Sequence, residues 1–177
     1  MGNDQQLRET RLVFYRDDLV KIDKLLEKFV ELSKAKSVLL VDKEGHMITR
    51  AGEDPSFDAD TISALVAGSF SATREMARLL GEDEFSALYH QGENDNIQLS
   101  MVGDRTILTV LFDDSTTLGM VRLYVNETVE KLEVLFAEVE AKRASGEGEE
   151  EGFEDEEFQD SASDALDAFF DEPEDAS

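Results

Sequence analysis

A chain of 177 residues with 41% apolar content and a formal charge of −25 has the material for one packed domain with a tail, and too little for two full domains. Its 17 basic residues form no cluster, which excludes DNA, RNA and anionic membrane surfaces as principal ligands, because binding to them draws on grouped Lys and Arg. The chain has no cysteine, hence no disulfide framework and no thiolate metal site, and this fits a reducing cytoplasm.

The opening Met1-Gly-Asn-Asp-Gln-Gln carries neither a signal-peptide nor a myristoylation pattern, and residues 1–14 read as a flexible start in which Leu12-Val-Phe-Tyr15 is apolar enough to dock. From Asp17 a helical period sets in, with Leu19, Ile22, Leu25, Leu26, Phe29, Val30 and Leu32 on one side and Lys and Glu on the other, ending near Lys34. Val38 to Val41 is apolar on both faces and reads as a buried central strand, turning through Asp42-Lys-Glu-Gly45 into a second strand, Met47 to Arg50. A second helix follows, with Asp58 as N-cap, Gly81 as stop, and Ile62, Leu65, Val66, Phe70, Met76, Leu79 and Leu80 assigned to its buried side.

Three strands come next, Ser86 to Gln91, Ile97 to Val102 and Thr106 to Phe112, separated by the turns Gly92-Glu-Asn-Asp and Gly103-Asp-Arg and therefore an antiparallel meander. The helical period returns from Thr116 and ends near Arg143. No apolar run is long enough to cross a bilayer, so direct membrane insertion is not expected.

The charge is unevenly placed. Residues 145–177 hold 15 acidic and no basic residues, so the tail carries −15 and the body −10. Residues 144–162 read as a disordered acidic linker. Within 163–172, Leu166, Phe169 and Phe170 fall at i, i+3 and i+4, either a chance apolar trace or a short helix that folds onto a partner.

No phosphate-binding loop, dinucleotide glycine motif or nucleophile elbow occurs, so nucleotide hydrolysis or acyl transfer by this chain has no motif behind it. His46 and His90 lie far apart without carboxylates at ligand spacing, and no pattern calls for a metal or cofactor. Arg74 and Arg78, at i and i+4, have the spacing to offer an arginine finger to a nucleotide, but a solvated or ion-paired helix face explains them as simply. The second helix also carries small residues, Ala64, Ala67, Gly68, Ser71 and Ala72. Mid-helix glycine costs about 1 kcal/mol against alanine, so close approach of some backbone, the domain's own sheet or another chain, has to offset it.

In this order of elements, Leu39-Leu-Val-Asp-Lys-Glu-Gly, Ser63-Ala-Leu-Val-Ala-Gly68, Ala77-Arg-Leu-Leu-Gly-Glu-Asp-Glu-Phe85 and Leu111-Phe-Asp-Asp-Ser-Thr-Thr-Leu-Gly-Met-Val-Arg-Leu123 resemble the roadblock family of dynein-light-chain-like domains, specifically its bacterial MglB-like branch. The resemblance covers about residues 12–143, with the domain at 15–143, and the acidic-apolar end of the chain is similar too. It implies an α/β (α+β) fold of order α-β-β-α-β-β-β-α with a five-stranded antiparallel sheet. It further implies a cytoplasmic, pole-concentrated homodimer, assembled through the second helices and a sheet edge and so giving the small-residue stripe its purpose, that is not itself an enzyme and binds its partner across the paired second helices. Such a dimer binds a Ras-like small GTPase of the MglA type in polarity and motility control, and stimulates GTP hydrolysis by reshaping the partner's switch regions without an arginine finger.

The partner-binding positions so implied are Ala64, Gly68, Ser71, Arg74, Glu75 and Arg78, with Leu166, Phe169 and Phe170 as a second docking element. Glu75 beside Arg74 departs from the smaller residues of the family pattern. Two other readings stay open: a roadblock-type adaptor that clusters partners without affecting hydrolysis, and a small-ligand sensor of similar outline.

Overall fold

The computed structural model describes residues 14–54 and 57–145. Helix α1 (Arg16–Ser33) leads into strands β1 (Ser37–Asp42) and β2 (Met47–Gly52). Helix α2 (Ala59–Leu80) is followed by β3 (Ala87–Gln91), β4 (Asn96–Val102) and β5 (Thr106–Phe112), and helix α3 (Leu118–Ser145) comes last. The five strands form one sheet of order β2-β1-β5-β4-β3 with every neighbouring pair antiparallel. The meander β3-β4-β5 is as the turn residues require. β1 is interior, as its apolar run demands, but the middle place in the sheet belongs to β5, buried at all seven positions.

Strand alternation divides the core in two. Val38 and Leu40 of β1, with Leu108, Val110 and Phe112 of β5, face Ile22, Leu26 and Phe29 of α1 and Val121, Val125, Leu132 and Phe136 of α3. Their neighbours Leu39, Val41, Leu99, Ile107 and Leu111 point to the opposite face, where Val66 and Phe70 of α2 cover Leu99 and Ile107 and Ala59 and Ile62 pack against Leu39, Val41 and Leu111. α1 and α3 therefore share one face of the sheet and α2 takes the other. On the α1 side, Phe14 packs its ring against Phe136 with centroids 5.3 Å apart, and Asp18 accepts the Tyr15 N–H at 3.2 Å in the first turn. Leu32, assigned by periodicity to the buried side of α1, is exposed in the last turn.

Both ends of α2 form as the sequence requires. Asp58 accepts the Thr61 N–H at 3.2 Å, and Gly81 takes the left-handed conformation, φ 74°, that releases the chain. The chain divides into two units, Met1–Ala141 and Lys142–Ser177. Of the second, the described residues 142–145 continue α3, with the Ser145 hydroxyl donating to the Lys142 carbonyl. Leu166, Phe169 and Phe170 lie outside the described residues.

Candidate partner interface

α2 meets the sheet through Ser63, Val66, Ala67, Phe70, Thr73 and Ala77. This corrects two expectations. Leu65, Met76, Leu79 and Leu80, assigned by periodicity to the buried side, are 61%, 50%, 72% and 72% exposed. Ala67, counted in the small-residue stripe, is buried against the sheet. The physical reason is that α2 is apolar over most of its circumference, so spacing alone leaves its rotation undetermined. Small residues on the sheet side allow the helix to lie low, and the larger Leu and Met are turned away.

The outer surface of α2 includes two parallel rows, with the exposed Arg74 alongside the first. One is Ala64, Gly68, Ser71, Glu75 and Arg78, all exposed. Beside it run Leu65, Ala72, Met76 and Leu79. Nothing lies within 4 Å of the position a Cβ on Gly68 would occupy, so the glycine's helix cost is not offset by its own domain. A surface of small side chains bordered by an apolar ridge is suited to another protein's backbone.

The charges on this face are partly neutralised in place. Arg78 donates through Nε to both Glu75 carboxylate oxygens, at 3.2 and 3.0 Å. That hydrogen bonding holds the Glu75 carboxyl below its ordinary range and raises Arg78. Glu75 thus serves as an internal counter-ion for Arg78. Arg74 has no ion pair among the described residues.

The β1–β2 turn abuts the same helix. Asp42 organises it by accepting the His46 N–H at 2.8 Å, while the Gly45 N–H bonds the Asp42 carbonyl at 3.0 Å. The Lys43 N–H bonds the Arg105 carbonyl at 2.9 Å, joining this turn to the β4–β5 turn. Between the turn and α2 is a depression of about 210 Å³ lined by Lys43, Glu44, Phe70, Ser71, Arg74, Met101 and Ile107, among other residues. Lys43 and the outer Leu and Met residues were not foreseen as part of this surface. An excess of apolar residues on α2 beyond what one buried side can use was the available signal.

His46 and His90 are both exposed. Contrary to expectation, His46 has a carboxylate four residues away, Asp42, whose Oδ2 lies 3.1 Å from its Nδ1, because the tight β1–β2 turn folds the two together. No group of three acidic, His or Cys side chains among the described residues could hold a metal. No described helix is long and apolar enough to cross a membrane.

Residues 21–112 match the model of the Roadblock/LC7 domain. The chain belongs to the roadblock/LC7 family. Among solved structures, this roadblock chain is similar to Myxococcus xanthus MglB, with 36% identity, TM-score 0.65 and coverage of 67% of this chain and 96% of that one. The gliding protein mglB of Thermus thermophilus shows 31% identity, TM-score 0.67 and coverage of 72% and 96%. An uncharacterized protein of Aquifex aeolicus (strain VF5) is 27% identical over 126 residues, which is 68% of this chain and 78% of the relative. The roadblock fold accounts for the sheet and helix order.

Proposed function

We propose that this roadblock protein is a homodimeric regulator of a Ras-like small GTPase of the MglA type. In this reading the partner seats on the outer rows of α2, around Ala64, Gly68, Ser71, Arg74, Glu75 and Arg78, and hydrolyses GTP faster when bound. The observation that carries the reading is the open space over Gly68 in a helix whose apolar residues exceed what its own sheet buries. The likeness to MglB structures supports it at the level of family. Leu166, Phe169 and Phe170 act as a second, tethered docking element, which raises effective concentration without enlarging the main contact.

Activation does not require a catalytic group from this chain. Phosphoryl transfer is governed by positioning and electrostatic preorganisation, so a surface that holds the partner's switch regions in a productive arrangement is sufficient. The tethering of Arg78 by Glu75 agrees with a positioning role rather than a finger inserted into the nucleotide site. The test is single-turnover GTP hydrolysis by the cognate GTPase with and without saturating dimer. Acceleration together with preference for the GTP-bound form supports the proposal. Equal affinity for both nucleotide states and an unchanged rate would instead identify an adaptor, because equal affinity cannot shift the equilibrium.

A further inference from the structure

A depression of about 260 Å³ opens between the β4–β5 turn and α3, on the sheet face opposite α2. Its floor is apolar, made by Val102 of β4 with Phe136 and Ala137 of α3. Its rim carries three carboxylates, Asp104, Glu133 and Glu140, against one guanidinium, Arg105. Glu133 accepts the Gly103 N–H at 3.1 Å, and Arg105 stands 3.7 Å from Asp104 and 4.0 Å from Glu140, the outer limit of ion pairing. The rim therefore keeps a net negative charge. Along α3, Glu133, Phe136, Ala137 and Glu140 follow at i, i+3, i+4 and i+7 and form one stripe.

The described chain begins at this stripe. Phe14 packs its ring on Phe136, the same residue that lines the depression, with centroids 5.3 Å apart. Tyr15 is extended, at φ −80° and ψ 164°, and its N–H is held by Asp18, so the approach to α1 is fixed. The sequence just before Phe14 is Leu7-Arg-Glu-Thr-Arg-Leu-Val13. Seven extended residues reach about 23 Å, against about 10 Å along the helix from Glu133 to Glu140, so the length is ample. Continued in the extended form of Tyr15, side chains alternate, which puts Leu12 on the side of Phe14 with Arg11 flanking it. Residues 7–13 hold two Arg and one Glu in a chain of net charge −25, the opposite balance to the rim.

We propose that residues 7–13 of the same chain form a strap across this depression, Leu12 seated over Val102, Phe136 and Ala137 and Arg11 meeting Glu140. The strap fastens the entry of α1 to the C-terminal half of α3. It gives the apolar run Leu12 to Tyr15 a purpose that the α2 surface does not supply. Because it lies on the sheet face opposite α2, it leaves the rows offered to the GTPase uncovered and stands independently of that reading.

The chain has no cysteine, so Ala137→Cys, at an exposed position of the floor, places a single thiol in the depression. Its rate of labelling by a thiol reagent is measured in the full-length protein, with the thermal transition and light scattering recorded for every variant. With the strap seated the thiol is shielded, and Leu12→Asp is expected to speed labelling about ten-fold. Arg11→Ala and Glu140→Ala should each speed it about three-fold, and the two together no more than either alone. As a second readout, Leu12→Cys with Ala137→Cys should close to an intrachain disulfide under mild oxidation of dilute protein. Leu12→Cys with Glu82→Cys, beyond the end of α2, should not. Equal labelling with and without Leu12→Asp, or a disulfide to the Glu82 position that forms as readily, would overturn the strap. Shielding that vanishes on dilution, or disulfides between chains, would assign the depression to the N-terminal segment of another copy and overturn it as well.

Discussion

The backbone of Gly45 lies so close to Ala64 that a Cβ built on Gly45 would come within 2.9 Å of the Ala64 Cα. Through this contact the β1–β2 turn braces the first half of α2, and Gly45 also holds φ at 94°, a conformation costly for other residues. Gly45→Ala combines backbone strain with a clash against a helix backbone that cannot rotate away. We expect a loss of about 2 to 3 kcal/mol in urea unfolding. An unchanged midpoint would show that the turn and helix are not in rigid contact.

Gly68 is the contrasting case, because the space over it is open. Gly68→Ala should raise stability by about 0.5 to 1 kcal/mol, the helix-propensity difference, with no packing cost. Gly68→Arg should leave the thermal transition near that of the wild type while blocking the partner. A destabilised Gly68→Arg protein would mean that α2 is covered by its own chain.

Arginine fingers contribute about 10³ to 10⁵ in rate, so their removal is easily seen. Arg78→Ala and Arg74→Ala, assayed at saturating regulator, should each change the single-turnover rate by no more than a few-fold. A loss of three orders of magnitude for either would replace the positioning mechanism with direct insertion of that side chain.

The N-cap of α2 gives a pH signature. Bonds from the Thr61 side chain and backbone favour the Asp58 carboxylate and hold its pKa below the ordinary aspartate range. The folded-state value is the lower one, so the stabilisation is complete above the unfolded-state pKa and disappears as pH falls through the folded one. Asp58→Ala should therefore lower the melting temperature at neutral pH by an amount that shrinks in strong acid. Asp58→Asn, which caps without titrating, should lack this component. A pH-independent difference between wild type and Asp58→Ala would be falsifying evidence against the ionised cap.

Much of the architecture was legible in the residues. The double-sided apolar run Val38 to Val41 required an interior strand, the turns at Gly92 and Gly103 required a meander, and Asp58 and Gly81 bounded α2. Each is a local or short-range constraint, in which the identity of one or two side chains limits the backbone to a few choices.

The rotation of α2 was not local. Leu65, Met76 and Leu79 are as apolar as Val66 and Phe70, and a helix with apolar residues on several sides has no single phase in its periodicity. Only when the sheet presented Leu39, Leu99 and Ile107 did packing choose the side with Ala67 and Ala77, which permits close approach, and leave Ala64, Gly68 and Ser71 facing outward. The same long-range assembly brought Lys43 to Arg74 across 31 positions of sequence. Composition, caps and turns thus determined which elements form, while the surface offered to another protein was decided by which side of one helix the sheet consumed.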